Sequence, residues 1–287
     1  MRTAVITDSN SGISQEEGKH LGIFIVPMPV IIDNKTYFEG KNLTQEAFFE
    51  NLTGGYDVST SQPSPGDILS LWDKVLASGY DEIVYIPMSS GLSNSYASAA
   101  MLAEDYKGNV QVVDNHRISV TQHGSVLDGI KLVSEGKSAA EIKEILEKES
   151  FEASIYIAVE TLEFLKKGGR ITAATAAIGS VLNIKPILSI QGDKLDSYAK
   201  ARGMKRCRAK LLEALKADLE NRFSDGDMSG LRIATAGTIQ NPEEAEAWRL
   251  EVAEYFPGYE VKYEDLGCSI ASHTGPGAMG IGIYRVL

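Results

Sequence analysis

Short apolar runs alternate with longer amphipathic segments through the first half of the chain. Mainly apolar runs at residues 3–7, 83–86 and 110–113 predict buried strands. Apolar residues recur at helical spacing over 121–134 and 139–149, which predicts helices. Strands that alternate with helices are typical of a parallel sheet covered on both faces. We therefore predict an α/β fold with a mainly parallel sheet in this half.

Another apolar run, residues 23–32, contains Pro27 and Pro29. Because proline has no N–H group to donate to a neighbouring strand, it is confined to edges and irregular positions of a sheet. We therefore predict an edge or irregular strand here.

A helix-start signature lies at Ser64, Pro65 and Asp67: a capping residue, a proline in the first turn and an acid after it. The pattern predicts a helix from Pro65 to about residue 78. Capping requires only Ser64, so it does not explain the polar residues 60–62 that precede it. Polar residues on a loop carry function more often than core residues do.

A hydroxyl-rich turn, residues 89–95, follows the strand predicted at 83–86 and precedes a helical segment. The free N–H groups and the positive end of the dipole at a helix start favour an anion. Ser93 fits both an N-cap and a ligand for a bound oxyanion, and the local sequence leaves both open. Asp8, after the first strand, similarly fits either a turn residue or a functional group.

The pattern changes after residue 150. It predicts a strand, a short helix, a hairpin, a long charged helix and a strand–helix–strand unit, at 155–159, 162–167, 186–197, 202–223 and 231–266. We predict two domains, an N-terminal α/β (Rossmann-like) domain at 1–150 and a smaller C-terminal α/β domain at 151–287. The segment 171–184 is rich in small residues, which allow either close packing or a groove for another apolar body.

Composition excludes several classes of function. The 287 residues carry a formal net charge of -11, which argues against a general nucleic-acid binder. Four histidines without ligand spacing and two cysteines do not support a metal site or a disulfide framework. Phosphate-binding and dinucleotide motifs are missing from the sequence. Because no uncharged stretch is both long and unbroken, and no signal-peptide core opens the sequence, we expect a cytoplasmic protein.

Polar groups gather at the ends of several predicted elements. Residues 60–62, 89–95 and 273–275 supply hydroxyls and one imidazole, and Arg170 supplies a guanidinium after two glycines. This set of hydrogen-bond donors suits a carboxylate or a similar anion.

A serine hydrolase is the alternative from a different class. Ser93 and His273, with Asp8 or Asp114, have the residue types of a catalytic triad. The sequence Gly-Leu-Ser-Asn-Ser around Ser93 is not the G-x-S-x-G nucleophile elbow, although triads are defined by geometry.

Six motifs together resemble the DegV family, which includes the fatty-acid-binding subunit of bacterial fatty acid kinase. They run through the whole chain in order: T-D-S at 7–9, T-S-Q-P-S at 60–64, S-S-G-L-S at 89–93, L-K-K-G-G-R-I at 165–171, I-K-P-I-L at 184–188 and H-T-G-P-G at 273–277. The resemblance implies two α/β domains with a long-chain fatty acid held between them. Carried over motif by motif, Thr60 and Ser93 bind the carboxylate, and His273 and Arg170 lie nearby. Their neighbours Ser61, Asn94 and Thr274 are assigned to the same site.

One position departs from the family pattern. Asn94 and Ser95 stand where the family motif commonly continues with Gly and Thr, so the resemblance leaves the local backbone approach to the carboxylate open.

A buried acyl chain gains about 0.8 kcal/mol per CH2, so the tail sets affinity and the polar cluster sets orientation. We predict that the small-residue segment and the inner face near residues 23–32 line a tunnel for the tail. The residues assigned to it are Ile25, Ala174, Ala177 and Ile178.

The resemblance implies a lipid carrier that catalyses nothing alone and holds no cofactor besides its fatty acid. An ATP-dependent fatty acid kinase subunit is the implied partner, which would convert the presented carboxylate into an acyl phosphate. Transient membrane contact fits such a carrier, whereas nucleic acid does not. A small-molecule sensor that binds another anion stays open, because a fold does not settle a function.

Overall fold

The computed structural model describes residues 2–171, 183–192, 194–224 and 230–287. The chain divides into two compact units, Met1–Phe151 and Glu152–Leu287.

The N-terminal unit contains two sheets. Its strands are β1 (Thr3–Asp8), β2 (Phe24–Val26), β3 (Pro29–Ile32), β4 (Lys35–Phe38), β5 (Val58–Thr60), β6 (Glu82–Ile86) and β7 (Val110–Val112). Its helices are α1 (Gln15–Leu21), α2 (Gln45–Thr53), α3 (Pro65–Ala77), α4 (Ser95–Ala103), α5 (Val120–Ser134) and α6 (Ala139–Lys148). A parallel sheet has the order β2-β1-β6-β7, and an antiparallel sheet has the order β4-β3-β5. The predicted parallel sheet is confirmed.

Both faces of the parallel sheet are buried, as its apolar strands predict. Val5 and Val84 belong to one core cluster, which helices α5 and α6 complete. Ile6 and Tyr85 belong to a second cluster that includes Trp72 of α3. Alternate residues of the same strands therefore face opposite layers of helices.

The apolar run at 23–32 forms two strands that lie in different sheets. β2 is an edge strand of the parallel sheet, and β3 begins at Pro29 and pairs antiparallel with β4 and β5. Pro27 cannot donate to a ladder, and the N–H of Met28 donates to Ser9 Oγ at 3.0 Å instead of to a strand.

The C-terminal unit is built on one mixed sheet. Its strands are β8 (Ala153–Ala158), β9 (Ile184–Ile190), β10 (Leu195–Arg202), β11 (Leu231–Gly237), β12 (Val261–Asp265) and β13 (Met279–Arg285). Its helices are α7 (Glu163–Lys167), α8 (Met204–Asn221), α9 (Pro242–Tyr255) and α10 (Cys268–Thr274). The strand order is β10-β9-β8-β13-β11-β12, and among these described strands the β11–β12 pair is parallel and the other pairs are antiparallel.

The core of the C-terminal unit lies against the two long helices. Leu211 and Leu215 of α8 and Trp248 of α9 are fully buried in one cluster with residues from the sheet. This unit is therefore also α/β in class. Within the ranges described, no helix is long and apolar enough to cross a membrane.

Candidate functional site

Asp8 lies fully buried at the carboxyl end of β1, where it holds the chain that follows β6. Its Oδ2 accepts the N–H of Met88 at 2.8 Å. Its Oδ1 accepts the N–H of Asn10 at 3.0 Å and Nε2 of Gln122 at 3.2 Å. The carboxylate of the T-D-S motif therefore fixes the backbone just before the hydroxyl-rich turn.

Burial raises the pKa of Asp8 from 3.8 to about 6, because a carboxylate loses hydration inside the unit. The hydrogen bonds from Met88, Gln122 and Asn10 act in the opposite direction. Asp8 is consequently ionised at neutral pH, with its charge stabilised by amide donors. Asp8 also caps the 3-10 turn Ser9–Ser11, which is the structural one of the two roles that the sequence left open.

The turn at 89–95 is held by its own backbone. The carbonyl of buried Ser89 accepts the N–H groups of Leu92 at 3.1 Å and Ser93 at 3.2 Å. Ser89 Oγ accepts the N–H of Gly91 at 3.2 Å. The N–H of Ser89 donates to the carbonyl of Arg117 at 2.8 Å. Ser93 is thus presented from a turn that is anchored at its first residue.

Ser93 is not the N-cap of the following helix. Helix α4 begins at Ser95, and Asn94 occupies the cap position without a side-chain hydrogen bond. Ser93 Oγ accepts the N–H of Ser95 at 3.1 Å and lies 2.9 Å from Ser95 Oγ. Asn94 is exposed and has a φ of -77°, so the backbone there does not require the glycine that the family commonly has.

The T-S-Q-P-S loop reaches the same helix. Thr60 is the last residue of β5, and Ser61 donates its N–H to the carbonyl of Pro29 at 3.4 Å. Gln62 Nε2 donates to Ser98 Oγ of α4 at 2.9 Å. Because Ser98 lies one turn after Ser95 on the same face of the helix, this bond brings the loop and the Ser93 turn to the first turns of α4.

The predicted start of α3 is confirmed. Ser64 is its N-cap and accepts the N–H of Asp67 at 3.1 Å, and Pro65 is its first residue. The cap fixes where the loop ends, which leaves Thr60 and Ser61 outside any helix.

The segment after β7 was not expected to serve the site. The buried guanidinium of Arg117 donates to the carbonyls of Glu149 at 2.6 Å and Ser150 at 3.3 Å, at the end of α6. The ring of His116, with a φ of 51°, stacks on Phe151 at 4.6 Å between centroids. Since the carbonyl of Arg117 also holds Ser89, this segment supports the turn.

In the C-terminal unit, glycines allow the loop after α7 to pack against α10. A Cβ atom at Gly168 would lie 2.0 Å from Nδ1 of His273. A Cβ atom at Gly275 would lie 2.3 Å from the ring of Phe164. Side chains at these two positions would therefore displace the facing ring. The G-G-R and H-T-G-P-G motifs thus pack directly against each other's segment, and each needs its glycine for that contact.

Burial, together with a smaller contribution from the charge of Arg170, lowers the pKa of His273 from 6.5 to about 4. Exposed Arg170 donates from Nη1 to the carbonyl of Gly168 at 2.6 Å. Thr274 is buried, and its hydroxyl donates to the carbonyl of Gly275 at 3.4 Å. The unit therefore presents a neutral imidazole beside a permanent cation at neutral pH.

The groups of the alternative triad have other partners. Asp8 accepts hydrogen bonds from amide donors, and Asp114 Oδ2 lies 3.5 Å from Nε2 of His116. The hydroxyl of Ser93 contacts Ser95. The printed contacts of Ser93, Asp8 and Asp114 therefore all lie within the N-terminal unit.

The predicted tail residues are placed only in part. Ile25 lies in β2 and is buried in the core, where a Cβ atom at Gly18 of α1 would come within 2.8 Å of its Cγ1. Ala174, Ala177 and Ile178 lie outside the described residues. Their assignment to a tunnel stays a prediction.

Metal ligands do not cluster in the part of the chain that the structure describes: no group of three or more His, Cys, Asp or Glu residues is suitably placed. Cys207 and Cys268 are both buried.

The fold is of the α/β class, and a hydroxyl-rich turn precedes helix α4. The sequence model of the DegV family, described as a family of uncharacterised proteins, matches residues 2–286. The chain belongs to the DegV family. A DegV domain-containing protein from Deinococcus radiodurans is 31% identical over 285 residues, which cover 99% of this chain and 98% of that protein.

Solved structures of the family share the fold. A fatty-acid-binding DegV family protein from Thermus thermophilus is 32% identical, with a TM-score of 0.87 and coverage of 100% of both chains. DegV of Bacillus subtilis, a fatty acid binding protein, is 29% identical, with a TM-score of 0.84 and coverage of 99% of both chains.

Proposed function

We propose that this protein is a carrier that binds a long-chain fatty acid and holds its carboxylate with the hydroxyls of Thr60 and Ser93. One observation carries the proposal: the bond from Gln62 to Ser98 brings the T-S-Q-P-S loop to the helix that begins beside Ser93. The fatty acids bound by its Thermus thermophilus and Bacillus subtilis relatives support the choice of ligand.

Both parts of a fatty acid have a role in the energetics. Hydrogen bonds to a charged group contribute about 1.5–3 kcal/mol each. The buried tail contributes on the order of 10 kcal/mol before entropic costs. The hydroxyls therefore select and orient the head group, while the tail supplies most of the affinity. Ser61 and Asn94, next to the two hydroxyls, belong to the proposed head-group site.

The carrier presents its carboxylate to an ATP-dependent kinase subunit in this proposal. The kinase transfers the γ-phosphoryl group of ATP to a carboxylate oxygen, which yields an acyl phosphate and ADP. The chain itself catalyses nothing. Arg170 supplies positive charge for the phosphorylated head group, and neutral His273 and Thr274 supply hydrogen bonds.

Mass spectrometry of the purified protein tests the carrier function. We expect an organic extract to contain a long-chain fatty acid in near-stoichiometric amount, and native mass spectrometry to show the complex. Protein that is purified without a bound fatty acid and that binds no added fatty acid contradicts the proposal. Labelling of Ser93 by a fluorophosphonate would then favour the hydrolase.

Ser93→Ala tests the head-group assignment. Loss of one charge-assisted hydrogen bond should weaken fatty acid binding about tenfold or more. The matched control is Ser14→Ala, which removes another serine hydroxyl at a helix start, the N-cap of α1. If Ser93→Ala and wild type bind the same fatty acid with equal affinity in a titration, Ser93 is not part of the head-group site.

The kinase step has its own test. With an ATP-dependent fatty acid kinase subunit, the loaded protein should yield acyl phosphate, and Ser93→Ala should not. A loaded wild-type protein that is never phosphorylated contradicts the presentation role and leaves the carrier function in place.

A further inference from the structure

The hydroxyl of Ser93 is surrounded by donors from its own chain. Its Oγ accepts the N–H of Ser95 at 3.1 Å and lies 2.9 Å from the hydroxyl oxygen of Ser95. The N–H of Ser93 is already donated to the carbonyl of Ser89 at 3.2 Å. A hydroxyl has two acceptor lone pairs and one proton. The remaining capacity of Ser93 thus depends on which serine donates in the Ser93–Ser95 bond.

Burial decides the direction of that bond. Ser95 is 1% exposed, and Ser93 Oγ is the partner of its hydroxyl in the described structure. If Ser93 donated, the proton of Ser95 would have no acceptor in a site from which water is excluded. A buried donor without a partner costs about 1–3 kcal/mol. Ser95 therefore donates, and half-buried Ser93 accepts twice.

We propose that Ser95 is a positioning residue that restricts Ser93 to the role of a donor, and so makes the site specific for head groups that accept hydrogen bonds. With both lone pairs occupied, Ser93 can only direct its proton to the ligand. A carboxylate accepts that proton, whereas an alkylammonium has no lone pair to offer. The inference rests on the proposed fatty acid function and adds the source of its head-group selectivity.

The test compares two ligands with one tail. Palmitate and hexadecylamine are titrated into wild-type protein, Ser95→Ala, Ser95→Thr and the control Ser14→Ala. Wild type should prefer palmitate. Ser95→Ala frees one lone pair of Ser93 and lets its hydroxyl rotate. The affinity for palmitate relative to that for hexadecylamine should therefore fall about tenfold. Ser95→Thr keeps the hydroxyl and should restore the wild-type ratio, and Ser14→Ala should leave it unchanged.

The ratio of the affinities for palmitate and hexadecylamine distinguishes this role from a purely structural one. A loosened helix start would weaken the binding of both ligands by the same factor. An unchanged palmitate-to-amine ratio in Ser95→Ala, together with weakened palmitate binding in Ser93→Ala, overturns the inference and leaves the carrier function intact. Wild-type protein that binds no palmitate overturns the carrier function and the inference with it. If Ser95→Ala does not fold, Ser95→Cys replaces it, since a thiol keeps the volume but donates weakly.

Discussion

The two units bury a titratable group beside a motif loop, and they stabilise it by different means. In the N-terminal unit, amide donors from Met88, Asn10 and Gln122 surround the carboxylate of Asp8. In the C-terminal unit, the bare backbone of Gly168 packs against the ring of His273. The first arrangement supports a charge, whereas the second excludes one.

The pKa values follow from this difference. Burial raises the pKa of Asp8 to about 6 and lowers that of His273 to about 4, so in both cases burial opposes the charged form. At neutral pH, however, Asp8 is charged and His273 is neutral. The same physical cause, loss of hydration, therefore leaves Asp8 mainly ionised at neutral pH but keeps the ring of His273 uncharged.

Replacing His273 should remove the largest pH dependence of the free energy of unfolding. Its pKa in the folded state, about 4, lies below the ordinary 6.5, so the unfolded chain binds the proton more readily between these values. Wild-type stability is therefore complete above pH 6.5 and falls by about 3 kcal/mol as the pH falls to 4. We expect His273→Gln to lack this fall, as measured by denaturant unfolding from pH 4 to 8.

Arg170→Gln sharpens the same measurement. Without the neighbouring cation the pKa of His273 should rise toward 6.5 and the acid loss of stability should shrink, while Lys166→Gln is the charge-matched control on α7. If the free energy of unfolding depends on pH in the same way for wild type and His273→Gln, His273 is not the group that causes the acid loss of stability.

Asp8→Asn should have a slightly smaller effect, and of the opposite sign. The pKa of Asp8 in the folded state, about 6, lies above the ordinary 3.8, so here the folded chain binds the proton more readily. Ionisation costs wild type about 3 kcal/mol of stability as the pH rises from 4 to 6. The stability of wild type relative to Asp8→Asn should thus decrease with rising pH across that window. A constant difference between the two proteins would show that Asp8 is not buried as the structure describes.

The sequence predicted the elements better than the contacts between them. The start of α3 was readable because Ser64, Pro65 and Asp67 act within one helical turn. The bond from Gln62 to Ser98 joins residues 36 positions apart, and only the packing of α3 against α4 reveals it. Local signals therefore located the loops, and tertiary packing determined what they touch.

Ser93 shows why a local signal can mislead. A serine ahead of a helix predicts an N-cap. The helix begins at Ser95, however, so Asn94 occupies the cap position and Ser93 lies one residue before it, where its hydroxyl accepts the N–H of Ser95. The support of Ser89 by Arg117 was equally invisible, because it depends on a backbone carbonyl that any residue could supply.

Gly168→Ala would break the comparison directly, with the smallest expected effect. Its Cβ atom would overlap the ring of His273, and such overpacking costs about 1–3 kcal/mol. The displaced ring would regain hydration, so the pKa of His273, measured by NMR titration, should rise toward 6.5. The matched control is Gly169→Ala: nothing lies within 4 Å of that added Cβ, and its φ of 67° adds only a backbone strain of about 1 kcal/mol. If the pKa of His273 moves equally in both variants, any distortion of this loop rehydrates the imidazole, and the close contact with Gly168 is not what excludes water from it.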